Sequence, residues 1–249
     1  MHRVLIVIAW MLLVLAPRAA EAENPIVRMA TPMGDIDLEV CEEVSTRCTH
    51  AAPNTAANFL SYVDDGLYHD SFVHRSVLNF ILQGGSFAAD HVSVAGVFAV
   101  PNLGLIAGEF SGFSNVRGTV SVPLASDPPD SQDPCATDVN SGSSGWFINL
   151  GPTNQNLDCG SFTVFAVVTD EAGLAVADAI NQRFKVNFGK GPSPVTPDYE
   201  CNPNTGGSCT TDPTPYLIYT ETTRVPEPSA ALASAAALGA LALLKRRRA

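Results

Sequence analysis

The chain is 249 residues long, 46% hydrophobic and 16% charged, with a formal net charge of -11. That is enough material for one sizeable core and scarcely enough for two. From Glu23 to Arg224, eight Lys and Arg stand against 23 Asp and Glu. This balance argues against a nucleic-acid partner, favours solubility, and makes a monomer the expectation through self-repulsion.

Residues 1–22 have the order of a secretory signal peptide. Met1-His2-Arg3 precedes an apolar run from Val4 to Ala16, and Ala20-Glu21-Ala22 supplies a small-residue cleavage site. All six cysteines, Cys41, Cys48, Cys135, Cys159, Cys201 and Cys209, fall beyond it, where an oxidising compartment lets disulfides persist. Six cysteines allow fifteen connectivities. The preferred set joins Cys41 to Cys48 and Cys201 to Cys209, each pair bracketing a short polar loop, and Cys135 to Cys159. The spacings lack a C-x-x-C knuckle and histidine partners, so no metal site is expected among the cysteines.

The first elements are two alternating runs, Ile26–Ala30 and Asp35–Val40, flanking Thr31-Pro32-Met33-Gly34, which predicts a hairpin. Ala52-Pro53-Asn54-Thr55 then introduces a helix with Ala56, Phe59, Leu60 and Val63 on one face, ended by Gly66. Further strands are predicted at 72–77, 80–83, 119–122, 146–150, 162–168 and 216–220. A second helix is predicted over 171–181, with Leu174, Val176, Ala177 and Ile180 inward. Roughly eight strands and two helices suggest a mainly β protein, a closed antiparallel barrel capped by helices. Two long polar loops, 125–143 and 189–215, interrupt it and contain three of the cysteines.

The order TPMGDIDLEV, APNTAANF, GLY, VHRSVLNFILQGG, RGTVSV, SGWFIN and LDCGSFTVF, running from about Asn24 to Thr220, resembles the cyclophilin family of peptidyl-prolyl isomerases. The resemblance implies an eight-stranded closed barrel with two capping helices, its active face outside the barrel, over residues 23–224. It also implies proline-containing polypeptides as substrates, and Arg75 and Gln83 as the catalytic pair. Phe80, Ile81, Phe147, Leu157 and Phe162 would form the proline slot. The chemistry accounts for this set. Rotation about an X-Pro bond faces a barrier near 20 kcal/mol because amide resonance is lost in the twisted state, yet no bond is made or broken. Neither a nucleophile nor a metal nor another cofactor is required, only a site that binds the twisted amide better than the planar one. A guanidinium stays charged at any working pH and can hold the prolyl carbonyl while polarising the imide nitrogen. His74 is expected to be a packed structural histidine.

Several positions depart from the family pattern. Asn156 stands where many eukaryotic members carry a tryptophan associated with cyclosporin binding, and Phe162 replaces a histidine. Gly145 and Trp146 replace the Q-F of S-Q-F-F-I, and Pro123 sits where a small alanine is common. Activity is therefore expected to be modest. The alternatives are a catalytically weak binding module of the same fold and a structural protein of the cell surface or exopolysaccharide matrix.

The last 25 residues, 225–249, run from Val225-Pro226-Glu227-Pro228-Ser229 through a small-and-apolar segment to Lys245-Arg246-Arg247-Arg248. This resembles the PEP-CTERM sorting signal of Gram-negative bacteria. It implies a membrane-spanning C-terminal helix before processing, an exosortase-type partner, and a product in the periplasm, at the surface or in the extracellular matrix.

Overall fold

A computed structural model describes residues 23–226 except 111, 130, 134, 153, 188 and 200–211. The expected signal peptide, nearly all of the expected sorting segment, and Cys201 with Cys209 lie outside the described residues. Among the described residues no helix is long and apolar enough to cross a membrane.

The first hairpin joins β1 (Ile26–Thr31) to β2 (Gly34–Val40), with Thr31 opposite Gly34. The Thr31 hydroxyl closes the turn, accepting from the Met33 amide at 3.1 Å and donating to the Gly34 carbonyl at 2.7 Å. Helix α1 (Pro53–Asp64) follows. Its proline suits the first turn, where an amide would lack an intrahelical partner, but Ala52 offers no capping side chain. The cap comes from far along the chain. Glu109 accepts from the amides of Asn54 at 3.1 Å and Thr55 at 2.6 Å, placing a carboxylate at the positive end of the helix.

The remaining strands are β3 (Arg75–Val77), β4 (Ile81–Gly84), β5 (Phe87–Ala89), β6 (Val97–Ala99), β7 (Thr119–Ser121), β8 (Ala125–Ser126), β9 (Thr137–Asp138), β10 (Trp146–Asn149) and β11 (Val164–Val168). Helix α2 (Glu171–Asn181) is capped by Asp170 on the Gly173 amide at 2.8 Å. Strands β12 (Lys185–Asn187), β13 (Pro192–Pro194) and β14 (Glu221–Arg224) complete the set.

Eight strands form one sheet in the order β14-β1-β2-β11-β7-β10-β4-β3, every neighbour antiparallel. The sheet curls until its two edges meet. Closure uses the residues just before the edge strands: the Val73 amide donates to the Ile218 carbonyl at 2.9 Å, and the Thr220 amide donates to the Ser71 carbonyl at 2.8 Å. Phe72 and Tyr219 bridge between them. The lumen is filled by Val27, Met29, Ile36, Leu38, Leu82, Val120, Trp146, Ile148 and Phe165, and α1 adds Phe59, Leu60 and Val63 to the same core. From α2, Ala177 and Ile180 are fully buried, whereas Leu174 and Val176 pack only partly. The architecture is thus the mainly β, helix-capped barrel expected from the sequence.

The strand limits differ in two places for physical reasons. The run 216–220 is not a strand in the sheet: Thr214–Tyr216 is a tight helical turn beside Pro213 and Pro215, and Leu217–Thr220 forms the seam. The strand that pairs with β1 is the polar Glu221–Arg224, an edge strand with solvent on one side and therefore no apolar signature. Within 72–77 only Arg75–Val77 enters the ladder, because Ser71 and Phe72 serve the seam and the bridges beside it.

The long loop 125–143 contains the short β8–β9 ribbon and is fastened to the turn before β11 by the Cys135–Cys159 disulfide. Cys41 is bonded to Cys48 at the end of β2.

Candidate active site

Cross-strand register assembles the site. Arg75 lies opposite Gln83, Gln83 opposite Phe147, and Phe147 opposite Ser121, so one row of side chains crosses β3, β4, β10 and β7 on a single face. The alternate residues Leu82, Trp146, Ile148 and Val120 point to the other face and fill the lumen. The row therefore stands outside the barrel. Two glycines make this close packing feasible. A Cβ on Gly84 would lie 2.4 Å from the Trp146 ring, and Gly85 has φ +76° with the same indole 2.6 Å from where its Cβ would be.

The guanidinium of Arg75 is half-buried and donates from Nη1 to Oε1 of Gln83 at 3.1 Å. Among the described residues no carboxylate forms a salt bridge with it. Burial lowers its pKa, though a guanidinium still remains charged. Its stem is buttressed by the β12–β13 hairpin: a Cβ on Gly191, which has φ +123°, would lie 3.2 Å from Cβ of Arg75 and 2.9 Å from the His74 carbonyl. Ser193 Oγ donates to that carbonyl at 2.8 Å. His74 is 4% exposed and packs edge-on against Phe87, ring centres 5.0 Å apart. Burial, and then the Arg75 charge, push its pKa down to about 4, so it is neutral at physiological pH.

Beside the arginine lies an apolar cluster on the outer face. Ile81, Phe147 and Leu157 form its buried floor, and Val77, Phe80 and Phe162 pack around them. Phe162 meets Phe147 edge to face at 5.8 Å. The structure thus brings together all seven side chains singled out from the sequence: Arg75, Gln83, Phe80, Ile81, Phe147, Leu157 and Phe162.

What the sequence reading missed is the polar frame under the slot. Asn149, fully buried, donates to Asn115 Oδ1 at 3.2 Å and accepts from Asn154 at 2.8 Å. Asn154 also donates to the Phe80 carbonyl at 2.8 Å, and Asn115 to the Phe162 carbonyl at 3.1 Å. Asp158, next to Leu157, accepts from the Asn115 amide at 2.8 Å and from its side chain at 2.9 Å. From α2, Asn181 donates to the Ser76 hydroxyl at 2.8 Å and the Val77 carbonyl at 3.0 Å. Buried amides satisfied on every side fix the segments carrying the slot walls. Asn149 at the end of the apolar WFIN was the available signal.

The two departures Pro123 and Gly145 prove to be one packing arrangement. A Cβ on Gly145 would lie 2.6 Å from Cγ of Pro123 and 2.9 Å from Oγ of Ser86. The proline ring occupies volume that a side chain at 145 would need.

A barrel whose outer wall carries a cation with no carboxylate partner among the described residues, beside a six-residue apolar cluster, presents a candidate surface for a small apolar ring flanked by carbonyl oxygens. The model of the family described as cyclophilin type peptidyl-prolyl cis-trans isomerase/CLD matches residues 26–198. A peptidyl-prolyl cis-trans isomerase of Acinetobacter baylyi is 30% identical over 161 residues, covering 63% of this chain and 72% of that protein. Peptidyl-prolyl cis-trans isomerase A of Dickeya dadantii is 30% identical over 178 residues, 70% of this chain and 80% of that one. A solved cyclophilin type peptidyl-prolyl cis-trans isomerase of Cryptosporidium parvum aligns with TM-score 0.49 and 19% identity, over 81% of this chain and 99% of that chain. The chain belongs to the cyclophilin-type peptidyl-prolyl cis-trans isomerase family.

Proposed function

We propose that the protein is an exported isomerase that accelerates rotation about X-Pro bonds in periplasmic or surface polypeptides. One observation carries the reading: the Arg75 guanidinium is held by Gln83 at the edge of the Ile81–Phe147–Leu157 slot, with no described carboxylate to neutralise it. The pyrrolidine ring seats in the slot against Phe147 and Leu157, with Phe80 and Phe162 as side walls. The prolyl carbonyl then lies toward Arg75, whose charge stabilises it and the pyramidalising nitrogen as conjugation is lost. Gln83 orients the guanidinium and offers its amide to substrate backbone. Because the slot anchors the ring, the residue preceding proline is the part that rotates.

A second reading, a binding module of the same fold with little turnover, is favoured by Pro123, whose ring is packed over Gly145 on the outer face. A protease-coupled assay on a proline tetrapeptide separates the two. The expected result is acceleration over the uncatalysed rate, falling about 10²–10³-fold in Arg75→Ala. Equal rates for both proteins at the uncatalysed level would leave the binding module and the structural protein.

Export is supported by the signal-like residues 1–22 and by the disulfides, and sorting by the resemblance of residues 225–249 to PEP-CTERM. Mass spectrometry of the secreted product tests both. Loss of residues 1–22 and of the basic terminus is expected, while an intact KRRRA end counts against sorting.

A further inference from the structure

Beside the seam that closes the barrel, four side chains that play no part in prolyl binding converge from three chain segments. His69 Nδ1 lies 3.3 Å from Glu221 Oε2, and His69 Nε2 lies 3.4 Å from Asp70 Oδ2. One donor atom each from His69, Asp70 and Glu221 can be chosen so that all lie within 4.8 Å of one another. The second oxygen of Asp70 is held by His91, whose Nε2 is 2.7 Å from Oδ1. His91 is itself clamped flat on Tyr219, ring centres 3.7 Å apart and planes inclined by 17°. Both Asp70 and His91 adopt left-handed backbone, φ +57° and +61°, a conformation unusual for non-glycine residues.

We propose that His69, Asp70 and Glu221 bind a zinc ion that staples the barrel seam, with His91 as the outer partner that orients Asp70. The donor set is one imidazole and two carboxylates with a position left for water, a set zinc accepts, whereas calcium needs six or more oxygens. Ligands about 2.1 Å from a tetrahedral ion lie about 3.4 Å apart. The two short His69 contacts run from different ring nitrogens, so with one nitrogen on the ion the three donor atoms, all within 4.8 Å of one another, draw in by roughly an ångström through side-chain rotation. Ligating carboxylates are themselves hydrogen-bonded by outer partners, and His91 on the second oxygen of Asp70 supplies such a contact. The surroundings are acidic.

The position gives the ion a structural consequence. His69 and Asp70 directly precede Ser71, and Glu221 directly follows Thr220, the two residues hydrogen-bonded across the seam. An ion held between them crosslinks the first and last edges of the sheet. His69 is largely exposed, so the ion would exchange with solvent and stabilise by mass action.

The test uses the untagged purified protein, titrated with zinc chloride in a calorimeter and melted with zinc or with EDTA. One equivalent of zinc should bind, and a hundredfold excess over Kd should raise Tm by about 5–10 °C. Magnesium and calcium should give no comparable shift. His69→Ala and the near-isosteric Glu221→Gln should each weaken binding at least tenfold and remove most of the Tm shift, with unchanged circular dichroism and prolyl-isomerase activity. His50→Ala, an exposed histidine elsewhere, should keep the shift. Absence of binding, or stoichiometric binding indifferent to both ligand variants, overturns the proposal.

Discussion

Arg75 and Gln83 face each other across β3 and β4 and are joined by a hydrogen bond of 3.1 Å from guanidinium to carboxamide. The amide oxygen fixes the direction of the cation without cancelling its charge. Gln83→Ala frees the guanidinium to sample other rotamers, and kcat/KM should fall about tenfold to a hundredfold, with little change in Tm. Gln83→Glu keeps the geometry but supplies a counter-charge, so activity should fall at least as far while the fold is retained. Variants with wild-type kcat/KM would show that the pairing does not organise the site.

Pro123 and Gly145 supply a second test, because they share one volume on the face that carries the slot. Restoring a glutamine at 145 without removing the proline forces the chain to shift, and Gly145→Gln should cost roughly 1–3 kcal/mol. The double variant Pro123→Ala/Gly145→Gln should recover most of that loss. Thermal or urea unfolding of the two single variants and the double gives the coupling energy, expected at about 0.5–3 kcal/mol between residues in contact. Additive effects would mean that the two substitutions are unrelated.

His74 makes stability depend on pH. Its pKa is about 4 in the folded protein against an ordinary value of 6.5, so between these values the unfolded chain binds the proton and the folded protein does not. Stability from this group is fully present above pH 6.5 and is lost as pH falls toward 4, about 2–4 kcal/mol in all. His69, raised by Glu221, acts in the opposite sense but is exposed, so solvent screens its effect. Denaturant unfolding from pH 7.5 to 4.5 should show the decline, and His74→Gln should flatten it. A slope unchanged by the substitution would assign the acid sensitivity elsewhere.

The parts of the fold legible in the sequence are those where packing writes itself into a period. The hairpin 26–40 alternates, α1 and α2 repeat at helical spacing, and WFIN and VFAVV are largely apolar because both of their faces are buried, VFAVV between the lumen and the Cys41–Cys48–Phe113 cluster. The seven site residues were found through a family pattern, and the register of three strands places Arg75, Gln83 and Phe147 in one row. Illegible were the features made by contacts across long separations. The Glu109 cap on α1, the Asn115–Asn149–Asn154 frame and the support of Arg75 by Gly191 each join residues that no local window contains. The polar edge strand β14 was missed for a different reason, since a strand that buries little carries no hydrophobic signal.

The seam between Ser71–Val73 and Ile218–Thr220 also sets an order of events. A polypeptide made from its N-terminus presents β3, with its arginine, long before the partner that must shut the cylinder has been synthesised. Until then the barrel gapes beside the strand that carries Arg75, and such non-local pairing is slow to form. The barrel can therefore close beside Arg75 only once residues 218–220 are available to pair with residues 71–73.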